Sequence, residues 1–129
     1  MSDEQGDPAM DGQRREVGAM LEISVEQPSD GVFVITPSGE LDLSNGELLS
    51  DAMSDARGKD AKTLVLDLTG LTFMDSSGLR LLIDAWNESQ IAERRLAIVV
   101  LDSGLVRRVL EVSGTDAFLP IVGRLDDVL

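Results

Sequence analysis

From Leu21 onward, apolar and polar positions alternate. Leu21, Ile23 and Val25 are separated by Glu22, Ser24 and Glu26, which predicts a strand with one wet face. Pro28-Ser29-Asp30-Gly31 is a turn cluster, and the β-branched run Val32-Phe33-Val34-Ile35 predicts a second strand pairing back on the first. Pro37-Ser38-Gly39 ends that pairing or bends it. Ser44 followed by Glu47 fits a capping box, and Leu48, Leu49, Ala52, Met53 and Ala56 mark one helix face. Gly58 stands where a left-handed cap falls. Thr63 to Leu68 and Leu96 to Leu101 are apolar runs that predict strands covered on both faces.

Between them, Leu79, Leu82, Ile83 and Trp86 recur at helical spacing. Leu105, Val106, Val109 and Leu110 mark a third helix, capped by Asp102 or Ser103 and closed by Ser113-Gly114. Phe118 to Val122 predicts a short last strand, and Leu125, Val128 and Leu129 begin a final helix. The order β-β-α-β-α-β-α-β-α implies an α/β fold: a mixed, mostly parallel sheet with an N-terminal antiparallel hairpin and packed helices.

Composition narrows the chemistry. The 129 residues include no cysteine and no histidine, which excludes disulfides, thiolate or imidazole catalysis, histidine phosphotransfer and Cys- or His-ligated metals. The net charge of −13 argues against nucleic-acid and anionic membrane partners and favours a basic protein partner. No apolar run approaches the roughly 20 residues of a membrane helix, and the acidic start lacks a signal peptide's character, so a cytoplasmic location is expected.

Residues 1–18, with five acids, two bases and no apolar period, read as a flexible acidic tail, leaving 19–129 as the folded domain. Asp42 and Asp75 form a conceivable carboxylate pair, but the chain offers no nucleophile with a base and no GxGxxG or P-loop pattern. No enzymatic activity, cofactor or metal is expected. Trp86, Met20, Met53 and Met74 read as packing residues, Arg94-Arg95 as a solvated turn, and Arg107-Arg108 as a charged outer helix face.

The informative stretch is Phe73-Met74-Asp75-Ser76-Ser77-Gly78-Leu79, which joins a buried strand to an amphipathic helix. A helix cap needs one of Asp75, Ser76 and Ser77, whereas here all three stand in a row. A phosphate at such a helix start is stabilised by free N–H donors and adds roughly −1.5 to −2 charges beside Asp75.

With the preceding strand, this segment resembles the phosphorylation-site segment of STAS domains, and more closely that of the bacterial anti-sigma factor antagonists. Gly39-Glu40-Leu41-Asp42 is similar to the family's turn ahead of the first helix, and Arg107 to Gly114 resembles its third helix and Ser-Gly end. The resemblance makes 19–129 a STAS domain and implies that Ser76 is the phosphoacceptor. It implies that Asp42 lies near Ser76 and helps form a docking surface, with Asp75, Ser77, Gly78 and Leu79 presenting the acceptor. The partner it implies is an anti-sigma factor that is also a serine/threonine kinase. Binding by the unphosphorylated form frees the sigma factor, phosphorylation ends the complex, and a metal-dependent serine phosphatase reverses the modification.

Two other readings stand beside this one. One is a STAS scaffold or regulatory subunit of a stress-signalling or transport complex; the other is a small-ligand or nucleotide-binding domain. The chain departs from the family pattern in its longer acidic tail and in a last helix that ends within about a turn and a half.

Overall fold

The computed structural model describes residues 13–18 and 20–129. Its elements in chain order are β1 (Gln13–Gly18), β2 (Leu21–Ser29), β3 (Val32–Leu41), α1 (Gly46–Gly58), β4 (Thr63–Asp67), β5 (Leu71–Met74), α2 (Ser76–Ala92), β6 (Arg95–Val99), α3 (Leu105–Ser113) and β7 (Ile121–Val122). Single 3₁₀ turns occupy Thr115–Ala117 and Leu125–Asp127.

The sheet runs β1-β2-β3-β4-β6-β7, with β5 pairing β3 off that path. The pairings of β1 with β2 and of β2 with β3 are antiparallel, and those of β3, β4, β6 and β7 are parallel. The chain therefore has the expected mixed, mostly parallel α/β architecture.

Alternation in the strands divides the core between two faces. Ile23, Ile35, Leu66 and Ile98 pack with Leu49, Met53, Leu82 and Leu110 of the three helices. Val34, Val65 and Val99 face the other way, under Val122, Leu125 and Val128. Burial of such aliphatic side chains, at about 1.5–3 kcal/mol each, supplies most of the force that holds the helices on the sheet.

Strand β3 changes neighbour along its length, and this change positions the site. It pairs β4 from Val32 to Ile35, then pairs β5 from Gly39 to Leu41. Pro37 falls in the gap between these ladders, where its missing N–H costs no sheet bond. The Pro37–Gly39 segment does not end the pairing with β2, which continues to Gly39 opposite Leu21. Gly39 has φ +109°, and a Cβ there would lie 2.3 Å from the Met20 carbonyl oxygen, so only glycine fits.

Several local expectations are corrected. Gln13–Gly18, the end of the stretch read as a tail, forms β1; residues 1–12 lie outside the described residues. An edge strand pairs through its backbone, and charged residues suit it, so no apolar period announces it. The short β5 was not expected as a strand. Ser44 does not cap α1; its hydroxyl donates to Asp42 Oδ1 at 2.6 Å, and Asn45 is the N-cap residue, with no side-chain cap bond. Gly58 is the last helical residue, and the left-handed conformation falls on Asp60, φ 61°. Gly104, not Asp102 or Ser103, precedes α3, whereas Gly114 closes it in the left-handed region as expected.

The last strand is only Ile121–Val122, because Thr115–Ala117 turns as a 3₁₀ helix and Phe118 caps it. The final helix is one 3₁₀ turn. Met20 is exposed at positive φ, while Met53 and Met74 are buried. Arg94 is not solvated: its Nη1 donates to both Glu88 oxygens at 2.6 Å and its Nε to the Ala61 carbonyl at 2.7 Å.

Candidate functional site

The site forms where β3 and β5 end side by side. Leu41 pairs Met74 in parallel register, and the Asp75 N–H donates to the Leu41 carbonyl at 3.3 Å. The turns that follow the two strands, one starting at Asp42 and the other at Asp75, therefore emerge together at one edge of the sheet.

Each turn is organised by its own aspartate. Asp42 Oδ1 accepts from the Ser44 N–H at 2.9 Å and from the Ser44 hydroxyl at 2.6 Å. Asn45, almost fully buried, accepts from the Asp42 N–H at 3.0 Å and donates through Nδ2 to the Glu40 carbonyl at 2.9 Å. In the second turn Asp75 is the N-cap of α2. Its Oδ1 accepts from the Ser77 N–H at 2.9 Å, the Gly78 N–H at 3.2 Å and the Ser77 hydroxyl at 2.5 Å. The Ser77 hydroxyl bond is the largest influence holding the Asp75 carboxyl below its ordinary range; the N–H groups of Gly78, Ser77 and Leu43 add to it, against a smaller opposing effect of burial.

Ser76 is treated differently from its neighbours. It is the first residue of α2, it is exposed, and its hydroxyl makes no hydrogen bond to the described residues. Gly78 is buried because a Cβ there would lie 2.5 Å from Met74 Cγ and 3.0 Å from Leu41 Cδ2. This close approach lets α2 start directly on the ends of β3 and β5. Leu79 is half-buried and packs on the core. Asp42, Asp75, Ser76, Ser77, Gly78 and Leu79 are thus brought to one place.

Two participants escaped sequence reasoning. Asn45 locks the first turn; its place just before an amphipathic helix was the available signal. Leu43, 83 % exposed in the turn that follows β3, is a bare apolar side chain, and no periodicity marks it. A cleft of about 250 Å³ lies along the same sheet edge, lined by residues that include Leu71, Thr72, Leu101 and Leu105. No group of side chains suited to a metal ion is present among the described residues. One oxygen of each carboxylate, Asp42 Oδ1 and Asp75 Oδ1, is bonded within its own turn.

The profile of the STAS domain matches residues 23–128. The chain belongs to the STAS domain family. Among curated relatives, this STAS domain is 30% identical over 102 residues to the anti-sigma F factor antagonist of Paenibacillus polymyxa, covering 78% of this chain and 86% of that one. Of solved structures, it resembles an anti-sigma factor antagonist from Mycobacterium paratuberculosis with TM-score 0.73 at 28% identity, covering 87% of this chain and 93% of the other. It also resembles the anti-sigma factor antagonist SpoIIAA in its unphosphorylated form, with TM-score 0.67 at 26% identity over 82% and 92% of the two chains. SpoIIAA of Bacillus has been solved in its phosphorylated form as well, with TM-score 0.61 at 25% identity over 82% and 96%. These STAS proteins are regulatory binding proteins, not enzymes. No helix among the described residues of this STAS domain is long and apolar enough to cross a membrane.

Proposed function

We propose that this STAS domain antagonises an anti-sigma factor: its unphosphorylated form binds a cognate anti-sigma factor that is also a serine/threonine kinase, and a phosphate on Ser76 ends the complex. The observation that carries this reading is the contrast between adjacent serines. The Ser77 hydroxyl is spent on Asp75, while the Ser76 hydroxyl is exposed and unbonded on the first turn of α2. The existence of SpoIIAA in both phosphorylation states supports it.

In the transfer, Ser76 Oγ attacks the γ-phosphorus of ATP held by the partner. The O–P bond forms, the bond to the bridging β–γ oxygen breaks, ADP leaves, and the hydroxyl proton passes to a base on the kinase. This chain supplies the nucleophile and its position. The product adds roughly −1.5 to −2 charges next to Asp75, Asp42 and the exposed Leu43. Solvent tolerates that charge; a partner surface packed on the same turns does not. Water, activated by a metal-dependent serine phosphatase, cleaves the ester to inorganic phosphate and restores the hydroxyl. The cycle operates in the cytoplasm.

Incubation with the cognate kinase and ATP, followed by mass spectrometry, is expected to place one phosphate on Ser76. Ser76→Ala is expected to hold the kinase persistently, and Ser76→Glu to bind it at least tenfold more weakly, about 1.4 kcal/mol. Phosphate on another residue, or equal binding by the Glu variant, overturns the reading.

A further inference from the structure

We propose that Arg80 is a clamp for the phosphate on Ser76, exchanging Asp84 for it when the modification arrives; the inference rests on Ser76 as the acceptor. Ser76 and Arg80 are the first and fifth residues of α2, an i, i+4 pair on one helix face. Helical side chains favour the N-terminal direction, so the turn that Ser76 begins comes within reach of Arg80 once it leaves Asp84. In the unmodified protein the guanidinium has a loose contact, Nε to Asp84 Oδ1 at 3.8 Å, with the side chains 77% and 61% exposed. Such a pair contributes little.

A phosphoserine at the preceding turn offers roughly twice the charge of a carboxylate and three acceptor oxygens, which the planar guanidinium fork can take in pairs. Asp75 and Asp42, the acids flanking Ser76, each have Oδ1 bonded within their own turns, whereas the phosphate brings a set of new, doubly charged acceptors. The exchange folds the phosphate back along its own helix. The charge that expels the partner is then fastened to α2, and the unbound state is held in place by the same modification that creates it.

The test installs phosphoserine at position 76 during translation, so no kinase is needed. Phosphorus NMR at low salt follows the second phosphate ionisation in the parent protein, in Arg80→Gln and in Arg124→Gln. Arg124 is an exposed cation on the C-terminal turn and controls for net charge. The parent and Arg124→Gln are expected to titrate together, about half a pH unit below Arg80→Gln. Phosphorylation is expected to raise the melting temperature of the parent and of Arg124→Gln more than that of Arg80→Gln. Identical midpoints in all three proteins, or equal shifts in both variants, overturn the clamp. Failure of a kinase to modify Ser76 would overturn the proposed function and leave this titration standing.

Discussion

At the residue scale, Asp75 does most to define the site. It caps α2 with two backbone bonds and holds the Ser77 hydroxyl, which leaves Ser76 as the open hydroxyl of the pair. Asp75→Ala removes the cap and is expected to cost about 1 kcal/mol of stability in a denaturant titration. The carboxyl titrates below its ordinary value of 3.8 in the folded protein because the charged form accepts these bonds. A depressed folded value means that the unfolded chain binds the proton first on acidification. The stabilisation is therefore complete above the ordinary aspartate value and lost as pH falls through the lowered one. Unfolding midpoints of the parent and Asp75→Asn, measured from pH 7 to pH 2, are expected to differ by a constant gap down to about pH 4 and to converge below it. A gap that widens in acid would contradict the geometry.

At the scale of elements, the site depends on how closely α2 starts against the ends of β3 and β5. Gly78 sets that distance. Gly78→Ala pushes a methyl into Met74 and Leu41 and is expected to cost about 1–3 kcal/mol and to weaken kinase binding by displacing the Asp75–Ser76 turn. Gly58→Ala is the control: the same methyl meets nothing within 4 Å there. In a helical position that change is neutral to stabilising by up to about 1 kcal/mol. Equal losses in the two variants by thermal denaturation would remove the close-packing explanation.

At the scale of the whole molecule, the sheet's two faces are covered unequally. Three helices seal one face, whereas Val34, Val65 and Val99 on the other lie under Val122 and the short turn carrying Leu125 and Val128. Removing residues 124–129 is expected to lower the unfolding free energy by about 2 kcal/mol and to raise the binding of a hydrophobic dye. Ser76 is expected to remain a substrate, since its turn stands on β3 and β5. Loss of phosphorylation with retained folding would show that the C-terminal turn reaches the site by a route these contacts do not contain.

Sequence alone determined the α/β class, the hairpin, the order of the three helices and the Asp75-Ser76-Ser77-Gly78 start, because periodicity and turn chemistry act over a few residues. It could not announce β1 or β5, which are short or charged and exist only through backbone pairing with strands already in place. The caps were misread at Ser44, Gly58, Asp102 and Ser103. In each case several residues were locally competent: Ser44 turns to Asp42 Oδ1, and the left-handed conformation after α1 falls on Asp60. Which serine is open followed from the Ser77 hydroxyl's bond to Asp75, and the meeting of the Asp42 and Asp75 turns, which the family resemblance implied, is set by the parallel register of Leu41 with Met74. Residues more than thirty positions apart become neighbours by sheet pairing, and no local pattern in the chain encodes that pairing.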